Sequence, residues 1–198
     1  MIRDDLSDRL VHLTRGDSHK EAGAVLTKIL KESRLLGGDG YIKGRYKCVC
    51  FSEAPIAKLG MILATEGEAG HYAPYGIMVS KQWLYDRRGR PVIYQPHKDY
   101  ELLPEELRYR HVRFDPPGVD LTSEREWRIK IGELKLEPKE TTVVVPDREW
   151  VDRMKDEQTK SVQRRVGAMG GIGGAPPSDV ITMPWHFIAL EDLGVPMP

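Results

Sequence analysis

The 198-residue chain carries 30 basic and 30 acidic residues, so its formal charge is zero with the histidines neutral. Apolar residues make up 40% and charged residues 30%, the balance of a chain that folds around a core. A module dedicated to duplex nucleic acid carries a strong basic excess; its absence argues against that class, though not against an enzyme that touches nucleic acid locally.

No stretch approaches the roughly 20 apolar residues that a membrane helix requires. The start Met1-Ile-Arg-Asp-Asp-Leu6 is acidic where a signal peptide is basic and then apolar. Cys48 and Cys50, the only cysteines, lie two apart in a predicted strand, a poor geometry for pairing with each other. The expected setting is therefore cytoplasmic, with reduced thiols and no membrane partner.

Residues 10–14 alternate as a short strand does. Ser18 and Glu21 form a capping box ahead of a helix whose Ala22, Val25, Leu26, Ile29 and Leu30 recur at three and four. The glycine-rich turn 37–40 is expected to stop that helix near Leu36. A second strand is predicted at 47–52, and Pro55 suits the first turn of a helix through Leu59, Ile62 and Leu63. Strands follow at 75–80 and 91–94, then a charged helix or loop at 97–113, then strands at 124–131, 133–136 and 141–145. A charged helix from 146 to about 166 leads into a flexible Gly/Pro-rich loop at 167–177, and 180–190 is expected to return to the core as a strand. Without regular βαβ alternation, this order predicts a mostly antiparallel α+β fold in a single domain, 1–198.

In the strand at 123–131, a period of two sends Arg125, Trp127, Ile129 and Ile131 one way and Glu124, Glu126, Arg128 and Lys130 the other. The second set either faces water or presents two carboxylates on a rigid element. One could bind a sugar hydroxyl and stabilise a cationic sugar-like transition state, while the other orients a nucleophile. His12 and Thr14 share a face of the first strand, and either sit satisfied in the core or hydrogen-bond a ribose. Phe51 either fills the core or stacks on a flat ring, and Ser52 shares the face of the cysteines. The C-x-C pair has no second pair at ligand spacing and the histidines are scattered, so no metal centre is expected. There is no G-x-S-x-G elbow, and the glycine loop lacks a phosphate-binding signature.

Taken in order, the pieces are His12-Leu-Thr14, a helix ending at a glycine turn, Cys50-Phe-Ser-Glu-Ala-Pro55 and Glu124-Arg-Glu-Trp-Arg128. This order resembles the ADP-ribosyltransferase scaffold, particularly the bacterial toxin and phage-defence branch that includes the DarT enzymes. Cys-Phe-Ser-Glu with Glu-Arg-Glu-Trp-Arg is also similar to abortive-infection proteins of the AbiGi type. The resemblance covers roughly residues 8–131. It implies split antiparallel β-sheets with flanking helices that clamp NAD, the substrate. His12 and Thr14 would meet the ribose, Arg45 or Arg15 the pyrophosphate, Phe51 or Tyr75 the nicotinamide, and Ser52 would support the site. Glu126 would stabilise the oxocarbenium-like state, and Glu124 would orient an acceptor, protein or nucleic acid. A neutralising antitoxin would be among the partners. The Ser-Thr-Ser motif of the arginine-modifying class is absent. The alternative is a non-catalytic interaction protein on the same scaffold.

Overall fold

The computed structural model describes residues 7–16, 18–40, 42–56, 58, 72–169 and 185–194, with side chains as far as residue 160 in the last helix. Seven strands form one sheet: β1 (Arg9–Leu13), β3 (Cys48–Ser52), β4 (Gly76–Ser80), β5 (Arg90–Pro91), β8 (Glu126–Lys130), β10 (Thr141–Val145) and β11 (His186–Ala189). Their order is β11-β10-β4-β1-β3-β8-β5. Two further pairs lie outside it, β2 (Arg34–Leu36) with β9 (Glu133–Lys135), and β6 (Ile93–Gln95) with β7 (His111–Arg113). Pairing is antiparallel except at β10–β11 and β6–β7. The fold is therefore α+β around a large mixed sheet.

Register explains how the two sheet faces are used. Phe51 pairs with Trp127 and Val49 with Ile129, while His12 pairs with Ile77 and Leu10 with Val79. These positions share the face that carries the main apolar core. Helix α1 (His19–Glu32) covers it with Ala22 and Leu26, and α3 (Arg148–Met169) adds Trp150, Val151 and Met154. Cys48, Cys50 and Ser52 pair with Lys130, Arg128 and Glu126 on the opposite face. Between β1 and β3 the ladder is a single pair, Val11 with Ser52, whereas β3 and β8 share five.

Local chemistry accounts for several helix ends. Ser18 caps α1, its hydroxyl accepting from the Glu21 amide at 3.2 Å. The short helix α2 (Lys81–Asp86), not expected from the sequence, is capped by Ser80, which accepts from the Trp83 amide. Helix α1 ends at Glu32 rather than near Leu36. Ser33 turns left-handed at φ 50°, and Arg34–Leu36 leaves to pair with β9, burying Leu35. The expected strand at 91–94 is divided between β5 and β6, and 97–113 forms two 3-10 segments (His97–Leu102 and Glu105–Arg110) followed by β7. Helix α3 continues to Met169, three residues beyond the expected end; the rest of the expected loop at 167–177 lies outside the described residues. So does the helix expected beyond residue 58. Residues 180–184 also fall outside, but β11 does return to the sheet beside β10. No described helix is long and apolar enough to cross a membrane.

Candidate active site

Glu126 opens β8, and its carboxylate is held by the guanidinium of Arg128, two residues on along the same face. Arg128 Nε donates to Glu126 Oε1 at 2.7 Å and Nη2 donates to Oε2 at 2.9 Å, the forked geometry that suits a carboxylate. The two side chains are only 7% and 15% exposed. Burial opposes the Arg128 charge, but the bonds and charge of Glu126 more than offset it, holding the guanidinium above its ordinary range. The same carboxylate adds to the rise of the Cys50 thiol, which burial already pushes up. Each carboxylate oxygen has a second lone pair, so the ion pair leaves acceptor capacity for a ligand hydroxyl.

Ser52 stands opposite Glu126 in register. Its hydroxyl donates to the Glu124 carbonyl at 2.5 Å and accepts from the Ala54 amide at 3.2 Å, so Ser52 fixes the chain entering β8. That entry differs from the sequence expectation. Thr122–Glu124 is a 3-10 turn and Arg125 is left-handed at φ 46°, so the strand begins at Glu126 and Glu124 does not alternate with it. Glu124 remains electrostatically near: Tyr72 responds to both Glu124 and Glu126.

Tyr72, missed in the sequence, lies just ahead of β4 and is 37% exposed. Arg15 Nη2 donates to its hydroxyl at 3.1 Å, and the guanidinium carbon lies 4.9 Å from its ring centroid. The phenol is pushed above its ordinary value by burial, against the Arg15 hydrogen bond, with the charges of Glu124 and Glu126 adding to the rise. Arg15 also acts on His12. These residues are thus linked through space from the end of β1 to the start of β8.

His12 does not share the face of Glu126. Its ring packs 5.7 Å from Phe51, and Nδ1 is 2.8 Å from the Cys50 carbonyl, at the joint where β1 and β3 share one residue pair. A carbonyl only accepts, so Nδ1 carries the proton. Burial lowers the imidazole pKa, the carbonyl bond partly restoring it and the Arg15 charge lowering it further. A neutral ring of this tautomer keeps Nε2 as an acceptor.

The other expected contacts are placed differently. Thr14 is buried; its hydroxyl lies 3.1 Å from the Tyr75 carbonyl and 3.3 Å from that of Ala22, tying β1 to α1 and to the start of β4. Phe51 is core, back to back with Ser52 across the strand. Tyr75 is 1% exposed and stacks edge-on against Trp150 at 4.9 Å, with its hydroxyl 3.4 Å from His19 Nδ1, on the helix-covered side of the sheet. Neither ring faces Glu126. Arg45 is exposed in the left-handed turn before β3, at the end of that strand remote from Ser52. Four strand steps, about 13 Å, separate the two ends of β3.

Comparison with protein-family models, curated proteins and solved structures finds no match to this chain. The site's chemistry alone must carry a functional reading.

Proposed function

We propose that this chain is an NAD-dependent ADP-ribosyltransferase of the toxin or phage-defence kind, acting on a macromolecular acceptor. The observation that carries the reading is the Glu126 carboxylate, fixed by Arg128 beside Ser52 and within the field of the Arg15–Tyr72 pair. Heterolysis of the bond between nicotinamide and ribose C1′ sends the electron pair to nicotinamide, which leaves neutral, and positive charge develops on the ribose. A fixed carboxylate accepting from the ribose 2′-hydroxyl stabilises that charge, an effect worth about 3–4 kcal/mol where single preorganised groups have been removed. The acceptor then attacks C1′ and loses its proton to a nearby base, for which Glu124 is the candidate. The exposed Tyr72 takes the place first given to Tyr75 and Phe51 as the ring for nicotinamide. Arg15 takes that of Arg45 as the cation for the pyrophosphate. The slender joint between β1 and β3, filled by His12, is in keeping with a scaffold that parts into two sheets around its substrate.

A second reading, a non-catalytic interaction protein, draws on the same pair, because both Glu126 oxygens already have a protein partner. Incubating the full chain with NAD labelled in the adenylate half, together with protein, DNA and RNA acceptor pools, separates the two. Label transfer that disappears with Glu126→Gln supports the transferase. No transfer to any pool, together with no nicotinamide release, favours the interaction protein.

A further inference from the structure

Arg128 is the most committed buried charge in the described residues. Its Nε and Nη2 hold Glu126, while Nη1 lies 2.9 Å from the Tyr109 carbonyl and 3.1 Å from the His111 carbonyl. Tyr109 lies in the last turn of the second 3-10 segment and His111 opens β7, so one guanidinium ties the sheet face at β8 to the β6–β7 unit. Burying a cation in this way costs several kcal/mol unless geometry and hydrogen bonds restore it. A purely apolar contact at this position would pack as well without that cost. A second tie runs alongside: the Glu126 amide donates to the Tyr94 hydroxyl of β6 at 3.1 Å.

We propose that Arg128 is the positioning residue of Glu126, transmitting the placement of the β6–β7 unit to the carboxylate and supplying its counter-charge. The proposal rests on the transferase reading. Lysine keeps the charge but has no fork, and cannot hold both oxygens and two carbonyls together. Glutamine removes the charge. The groups then facing Glu126 are Cys50 and Cys48 from β3, Tyr94 from β6, Tyr72 from the segment before β4, and Glu124 from the turn. Of the nearby cations, Arg15 is held on the Tyr72 hydroxyl and Lys130 over the Tyr46 ring, so neither replaces the fork and the carboxylate loses its paired counter-charge.

The test is kcat and KM for nicotinamide release from NAD by the full chain, for the wild type, Arg128→Lys and Arg128→Gln, with folding checked by near-ultraviolet circular dichroism. Expected is a roughly 10- to 100-fold fall in kcat for both variants with KM for NAD little changed. The fall is expected to be smaller in Arg128→Lys, which keeps a counter-charge, than in Arg128→Gln, which keeps none. Folded variants with unchanged kcat overturn the proposal while leaving the transferase reading intact. A wild-type chain that releases no nicotinamide removes both.

Should the variants fail to fold, the wild-type chain supplies the readout. The Arg128 Nε–H nuclear magnetic resonance signal, assigned by its change in Glu126→Gln, is expected to shift on addition of NAD. A signal indifferent to NAD in an active wild-type chain overturns the proposal.

Discussion

The indole N–H of Trp127 donates to Glu53 Oε2 at 2.8 Å, and the other Glu53 oxygen accepts from Lys81 Nζ at 2.6 Å. This bond joins the Cys50–Pro55 stretch to the Glu124–Arg128 stretch on the core side, while Ser52 joins them on the other side through the Glu124 carbonyl and its register with Glu126. The Glu53 amide adds a third link, donating to the Arg125 carbonyl at 3.2 Å. The two short motifs thus form one structural unit. Glu53 is not a site residue here; it braces the strand that carries Glu126.

Replacing Glu53 with Ala leaves a buried indole N–H without its acceptor and Lys81 without its counter-charge. The expected loss is about 1–3 kcal/mol of stability. Glu53→Gln retains an acceptor and is expected to lose less. Urea unfolding midpoints measure both; midpoints equal to the wild type would contradict the bracing role.

Helices α1 and α3 meet at Gly23, where an added Cβ would lie 2.5 Å from Trp150 Cη2. Alanine in a helix interior normally gains about 1 kcal/mol over glycine. Here overpacking, typically about 1–3 kcal/mol, is expected to win, so Gly23→Ala should lower the melting temperature. A raised melting temperature would show that Trp150 moves aside freely.

Acid should weaken the fold before the carboxylates titrate. His12 and His111 are both held below the ordinary 6.5, burial being the main cause in each. A group with a depressed folded pKa binds more protons when unfolded, so stability is present above pH 6.5 and declines as pH falls through the lower folded values. Urea midpoints measured at descending pH from 7.5 should therefore drop below about 6.5, and the drop should be smaller in His12→Gln. An identical pH dependence in that variant would mean that His12 is not buried neutral.

Both thiols should resist modification. Burial pushes Cys48 up to about 11, and Cys50 is raised further by burial, with the Glu126 carboxylate adding to the effect. Thiolate is the reactive form. Ellman's reagent is expected to leave the native chain unlabelled and to react with both cysteines in denaturant. Rapid native labelling would contradict the burial of this face.

Alternation and capping signals were enough to locate β1, β3, β4, β8 and the start of α1, because each depends on a local period or a local hydrogen bond. The shared face of Glu126 and Arg128 followed from the same period, whereas the place of Ser52 beside them is set by the β3–β8 register. What alternation could not detect was the left-handed Arg125, which removes Glu124 from the strand. Nor could it rank Tyr72 against Tyr75: the two differ in burial, which is set by where α3 packs. The link between Arg15 and Tyr72 depends on the return of the chain at β4 beside β1, a tertiary relationship without a local signature. Likewise, Arg128 read as part of a polar face until the β6–β7 unit was seen to cover it.

The most direct measurement is nicotinamide release from NAD by the purified full chain, with Glu126→Gln in parallel and both proteins shown to be folded by circular dichroism. The expected result is release by the wild type that falls by about 100-fold or more in the variant. Equal release by both proteins, or none by a folded wild type, would contradict the assignment of Glu126 as the group that stabilises the ribosyl cation.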